Sequence, residues 1–307
     1  MIVVSNLTKR FGQVTAVNNV SLEIGDGELT GIIGPDGAGK TTFLRMIAGA
    51  LMPDSGLIEI NGKNFKESRE ELKKEIGFLS QTSLVYGDLS VWENIEFFAR
   101  IHKVPQWQKK GKELLEFAQL IPFKDRLADQ LSGGMRQKLG ICCAIIHQPR
   151  FLILDEPTTG VDPVSRRELW IMMSSFLKSS MTIVLATPYL LEAEHCSKVG
   201  LFSGGELLRY DSVENLRREA RVQTFELRSL QLKPVYEFLR NQKSNWDVMV
   251  MGDRISLSLP ADQNADEILR QLQEHVDPHL NIEKVRPTLE NVFTELMKNQ
   301  SKGVKNA

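Results

Sequence analysis

The segment "GPDGAGKTT", Gly34 to Thr42, decides how this 307-residue chain is read. It fits G-x-x-x-x-G-K-[ST], follows the apolar run "ELTGIIG" (28–34) and opens the amphipathic run "TTFLRMIAGAL". A strand, a glycine turn and a helix in that order gather backbone N–H groups into a concave nest at a helix N-terminus, where phosphate binds. Gly34, Pro35, Asp36, Gly37, Ala38, Gly39, Lys40, Thr41 and Thr42 are therefore the candidate triphosphate-binding residues. Lys40 has the reach for the β- and γ-phosphates, and the Thr41 hydroxyl suits a Mg²⁺ ion.

A partner for this loop stands further along, in "FLILDEP" (151–157). Four apolar residues predict a buried strand that carries Asp155 and Glu156 to its C-terminal end, where ligands gather in a parallel α/β sheet. Asp155 suits a role in holding Mg²⁺. Glu156 is placed to orient an attacking water or to accept its proton.

The bulk composition is that of an ordinary globular chain, with 42% hydrophobic and 25% charged residues. Lys plus Arg (38) nearly balances Asp plus Glu (39), so no global field argues for nucleic acid. No apolar run reaches the ~18 residues that span a bilayer, and "MIVVSNLTKRFG" does not read as a signal peptide. Any membrane role is expected to come through a partner chain. Cys142, Cys143 and Cys196 have neither disulfide-framework nor zinc-site spacing, and the first two read as small core residues.

Strand-like and helix-like runs alternate from Ile2 to about Ser203, predicting an α/β domain over 1–220. Its strands include 28–34, 75–80, 151–156 and 181–186, and "YLLEAEHC" after the last reads as the start of a helix. Between Ser90 and about Ala128 the alternation breaks into two or more helices, so a helical subdomain is expected over about 90–148. Residues 221–300 follow with strand, helix, two strands, helix and strand, the βαββαβ order of a small ferredoxin-like α/β domain, and then a final helix. The polar residues 301–307 are expected to fray.

"LSGGMRQKLG", Leu131 to Gly140, completes a set with the phosphate loop, Gln81 in "FLSQ", "LDEP" and "GVDP". Taken together these motifs resemble the ATP-binding subunit of an ABC transporter, in unbroken order over roughly residues 2–220. The remainder is similar to the accessory C-terminal domain of ABC-2-type export ATPases, where "PTLENVF" is a typical late signature. The resemblance implies a P-loop ABC ATPase core and two ATP molecules sandwiched head to tail between two subunits. Each ATP would be held by one subunit's phosphate loop and by Leu131, Ser132, Gly133, Gly134 and Met135 of the other. It further implies that Phe11 stacks on adenine, that Val17 packs near the base, and that Gln81 binds Mg²⁺ and the attacking water. Asp162 would lie on the loop that crosses between the two sites. The residues support the signature role independently, because Ser132 to Gly134 open a helix and present free N–H groups to an anion.

The stretch "MTIVLATPYLLEAEHC" (181–196) departs from the family. A histidine that contacts the γ-phosphate usually ends this strand; here the position is Pro188, which carries no donor. Thr187 or Tyr189 could offer a hydroxyl instead. Two outcomes stay open: a slow homodimer, or a heterodimer in which this site mainly binds ATP while the intact signature completes a sister subunit's site. The expected role is the ATPase motor of a membrane exporter, peripheral on the cytoplasmic face through a permease. Tyr86, Leu89, Trp92 and Phe97 in "TSLVYGDLSVWENIEFF" suit a grip on a permease helix, or equally the core of the helical insertion. The alternatives are a soluble ABC ATPase and a non-hydrolysing regulatory subunit.

Overall fold

The structure is a computed structural model that describes residues 1–81, 85–242 and 246–305. By internal contacts the chain divides into two compact units, Met1–Tyr210 and Asp211–Ala307.

In the first unit the strands are β1 (Ile2–Phe11), β2 (Val14–Ile24), β3 (Leu29–Ile33), β4 (Ser55–Ile60), β5 (Lys63–Asn64), β6 (Ile76–Leu79), β7 (Phe151–Asp155), β8 (Thr182–Thr187), β9 (Lys198–Ser203) and β10 (Glu206–Asp211). Its helices are α1 (Lys40–Ile47), α2 (Arg69–Leu72), α3 (Val91–Ile101), α4 (Trp107–Phe117), α5 (Gly133–Ile145) and α6 (Pro163–Lys178). Every residue of β3, β7 and β8 is buried, which is why these strands read as unbroken apolar runs rather than alternating ones. They lie in a six-stranded sheet of order β10-β9-β3-β8-β7-β6. The pairings β9–β3, β3–β8, β8–β7 and β7–β6 are all parallel, so four motif-bearing strands end on one edge.

A second sheet, antiparallel and of order β2-β1-β4-β5, stands beside this core. Sequence alternation alone did not separate it from the parallel sheet. Phe43, Met46 and Ile47 of α1 join Ile2, Ile24, Ile60 and Phe202 in one fully buried cluster.

The helical insertion is present as α3, α4 and α5, which pack on one another. Ser90 caps α3 by accepting the Glu93 N–H (3.2 Å), while the Glu93 carboxylate accepts the Ser90 N–H (2.8 Å). Tyr86 sets its ring against Phe97 at 4.7 Å, and Trp92 meets Trp107 at 5.2 Å, so the insertion's aromatics form a cluster of their own. The first three residues of the quoted stretch, 82–84, lie outside the described residues.

The helix read in "YLLEAEHC" is present, as a 3-10 helix over Leu190–His195. The Glu192 N–H donates to Tyr189 O (3.1 Å) and the Cys196 N–H to Ala193 O (2.9 Å), both three residues back. The turn must close that tightly because β9 starts at Lys198.

In the second unit α7 (Val213–Glu219) precedes β11 (Val222–Arg228), α8 (Leu232–Arg240), β12 (Asp247–Met251), β13 (Arg254–Pro260), α9 (Ala265–His275), β14 (Asn281–Val285) and α10 (Leu289–Lys305). Its antiparallel sheet has the order β12-β13-β11-β14, which is the ferredoxin-like arrangement for βαββαβ. The sequence sets the boundary near residue 220, whereas the contacts divide the chain after Tyr210, because α7 packs on α10. α10 continues to Lys305, through most of the tail whose polarity suggests fraying.

Candidate active site

The sheet register fixes the site before any side chain is considered. Ile33 pairs with Thr187 and Asp155 with Ala186, so one residue further on Gly34 stands beside Pro188, and Glu156 beside Thr187. Leu79 pairs with Leu154, which brings Gln81 level with Glu156.

Between β3 and α1 the phosphate loop turns through Gly37 and Gly39, both at positive φ (77° and 100°). Gly39 could not be replaced cheaply, because a Cβ there would lie 2.2 Å from Ala16 O. Lys40 begins α1 and is 4% exposed. Its ammonium donates to Gly34 O (2.8 Å) and Pro35 O (2.9 Å), so it is folded back over the loop. Burial lowers its pKa, opposed by the carboxylates of Glu156, Asp36 and Asp155.

Beside the loop the Thr41 hydroxyl donates to Asp155 Oδ1 at 3.0 Å. Asp155 is 1% exposed, and burial raises its pKa, opposed chiefly by that Thr41 bond. Its other oxygen, Oδ2, is buried with no hydrogen-bond partner. An orphaned buried carboxylate oxygen beside a threonine hydroxyl is a donor set that fits a hard divalent cation.

Glu156 holds a left-handed backbone (φ 53°), unusual for a side chain-bearing residue, and its N–H donates to Ala186 O at 2.9 Å. One carboxylate oxygen, Oε2, accepts from Gln81 Nε2 and from Thr159 Oγ1, each at 3.1 Å. Thr159 is a contact that the motif spacing did not single out.

A cleft of about 440 Å³ connects these groups, lined by Asp36–Thr42, Gln81 and Glu156 together with Val14, Thr15, Ala16, Gly204 and Gly205. The last five extend the expected set. "FSGGE" reads in sequence only as a turn, yet Gly205 N–H donates to Ala38 O (3.1 Å) and its carbonyl accepts the Asn18 N–H (2.7 Å). Val17, expected near the base, is fully buried in the core and is not among the residues lining the cleft. From β2 it is Val14, Thr15 and Ala16 that reach the cleft. Phe11 is 51% exposed at the end of β1, with Lys9 Nζ 5.7 Å from its ring centre; it is outside the cleft lining, near Val14.

Pro188 is half-buried after β8. The Thr187 hydroxyl is fully buried and accepts the Tyr189 N–H (3.1 Å), which leaves its own O–H as a donor, and it does not line the cleft. The Tyr189 ring is 40% exposed with Arg166 5.5 Å from its centre.

None of Leu131–Met135 lines the cleft. Ser132 caps α5 by accepting the Met135 N–H (3.3 Å), and Ser132 and Gly133 are exposed, so the helix N-terminus opens outward. Gly134 is held close to α6, where a Cβ would lie 2.3 Å from Ser165 Cβ. Asp162 caps α6, accepting the N–H groups of Val164 and Ser165 at 3.0 Å each. Those bonds, Ser165 foremost, hold its carboxyl below the ordinary range.

A phosphate loop, an acidic strand tip and a separate outward-facing anion nest define a nucleotide-binding protein of the P-loop class. The relatives narrow the class. A family model described as ABC transporter matches residues 17–159. The probable multidrug ABC transporter ATP-binding protein YbhF of Escherichia coli (strain K12) is 38% identical over 97% of this chain, which spans about half (52%) of that relative's length. The daunorubicin resistance ATP-binding protein DrrA3 of Streptomyces coeruleorubidus is 31% identical over 96% of this chain and 95% of its own. Among solved structures, the ATP-binding subunit of an ABC transporter superposes with a TM-score of 0.65 at 25% identity, covering 71% of this chain and 92% of that one. A dimeric post-hydrolysis state of the ATP-binding cassette MJ0796 bound to ADP and Pi does so with a TM-score of 0.64 at 26% identity, covering 69% and 98%. The chain belongs to the ABC transporter ATP-binding proteins. Among the described residues no helix is long and apolar enough to cross a membrane.

Proposed function

We propose that this chain is the ATP-hydrolysing motor of an ABC-2-type exporter, in which closure of an ATP sandwich drives a separate permease from the cytoplasmic face of the membrane. The observation that carries the reading is the separation of the two anion nests: the phosphate loop lines the cleft, while Ser132 and Gly133 open away from it. A second copy or a sister subunit would bring such a nest to each ATP. Export is favoured by the relatives that align with the second unit too. The drug-resistance and multidrug relatives DrrA3 and YbhF align with 96–97% of this chain.

In the mechanism Lys40 leaves its own carbonyls for the β- and γ-phosphates, and Phe11, exposed at the end of β1, would cover the base. Thr41, Asp155 and Gln81 would hold Mg²⁺, whose charge offsets that of the phosphate oxygens. Glu156, kept in place by Gln81 and Thr159, orients the attacking water and accepts its proton. Pro188 provides no donor for the γ-phosphate, and loss of one such donor typically costs ~10²–10³ in rate.

Thr187 is fully buried and does not line the cleft, so its hydroxyl is poorly placed to replace the missing donor; this favours the heterodimer reading, in which this site holds ATP and the signature helix serves a faster sister site. Measuring ATPase activity of the assembled complex with Pro188→His tests the proline's role. A rise of roughly tenfold or more is expected. An unchanged rate would show that the missing imidazole does not limit turnover.

A further inference from the structure

The second unit contains a cleft of about 460 Å³ between the end of its sheet and α10. α10 contributes Asn291, Thr294, Glu295 and Lys298, spaced i, i+3, i+4 and i+7, and so lines the cleft with one polar stripe. A helix ordinarily turns an apolar stripe toward a sheet, and a polar one there calls for an explanation.

Asn291 sharpens the point, since it is only 5% exposed. Its Oδ1 accepts the Thr288 N–H and hydroxyl, both at 2.8 Å, in a cap closed by the Asn291 N–H on Thr288 Oγ1 (3.3 Å). Its amide nitrogen has no hydrogen-bond partner among the described residues. Capping therefore engages only the carbonyl end of this side chain, and its amide nitrogen stays open to the solvent of the cleft.

Charge narrows the occupant. Three carboxylates, from Asp247, Asp262 and Glu295, face two cations, Arg221 and Lys298. Lys298 Nζ already donates to Trp246 O (3.3 Å), and Glu295 Oε2 accepts the Arg221 backbone N–H (3.1 Å). Asp247 and Asp262 have no ion pair among the described residues. Val222, Pro260 and Ala261 give the cleft an apolar wall. No group of three metal-ligating side chains occurs among the described residues, and the volume far exceeds a bare ion. We propose that this cleft binds a small organic amine. Its ammonium pairs with Asp247 and Asp262, an acceptor oxygen takes the Asn291 amide, and its apolar body lies on Val222 and Pro260. The site is independent of the nucleotide cleft and of the exporter reading.

Calorimetric titration of the full chain with tyramine, 2-phenylethylamine and spermidine tests this, with 3-(4-hydroxyphenyl)propionate as the anionic isostere of tyramine. Saturable binding of at least one amine is expected, with the isostere at least tenfold weaker. Asp262→Asn, an exposed change that leaves folding intact, and Asp247→Asn should each weaken the amine about tenfold. The proposal is overturned if no amine binds saturably, if the anion binds as tightly, or if the double Asp247→Asn, Asp262→Asn variant, folded by circular dichroism, binds with unchanged affinity.

Discussion

Lys40 illustrates how a single residue stores function. Burial disfavours its charge, two loop carbonyls and three nearby carboxylates hold it, and the triphosphate would replace those partners with stronger ones. Lys40→Ala should weaken ATP binding by roughly 10² or more, measured by fluorescent-nucleotide titration. Glu156→Gln keeps the Gln81 and Thr159 neighbourhood but removes the base, so ATP should bind while hydrolysis at this chain's own site falls ~10²–10⁴-fold, read as phosphate release by the chain without a sister subunit. Gly39→Ala meets Ala16 O and an unfavourable φ together, and a loss of at least about 2 kcal/mol is expected in urea unfolding. The phosphate loop and acidic tip were legible because their chemistry requires particular residue types at fixed spacing. Val17 lies in the core, and nothing in its identity tells which face of β2 it takes. Gly204 and Gly205 were missed because a double glycine reads equally as a plain turn.

At the scale of elements, buried parallel strands and capped helices announced themselves. "FLILD" and "TIVLAT" form β7 and β8 close to their expected limits, and the Ser90/Glu93 reciprocal cap sets the start of α3. Ser90→Ala should cost about 1 kcal/mol of first-unit stability, read from the urea midpoint. The antiparallel sheet was less legible, since its pairing joins strands far apart in sequence: Ile2 meets both Ile24 and Ile60. The ends of α3 and α5 meet through His102 and His147, whose rings stack at 3.8 Å. Burial, then the neighbouring His102, pushes His147 down to about 4. The unfolded chain, with its imidazole near ~6.5, therefore binds the proton more readily than the folded one. The associated stability is full above about pH 6.5 and is lost as pH falls toward the folded value. After allowance for solvent screening the effect is on the order of 1 kcal/mol. His147→Gln should flatten the fall in melting temperature between neutral pH and pH ~5 relative to the parent chain.

For the whole molecule, the resemblance carried by five motifs led to the family, and the ferredoxin-like order of the second unit could be read from the succession of strands and helices. What sequence could not supply was the direction in which the signature helix opens, because that depends on how α5 and α6 pack at Gly134 and Ser165. The central claim is that each ATP is clamped by the phosphate loop of one subunit and the α5 N-terminus of another. Sedimentation velocity of Glu156→Gln, alone and together with its permease and candidate sister subunits, tests it most directly. Mg-ATP should produce a species with two ATP-binding subunits, and Gly133→Asp in the same background should abolish it. Failure of nucleotide to drive that association in either setting would contradict the account.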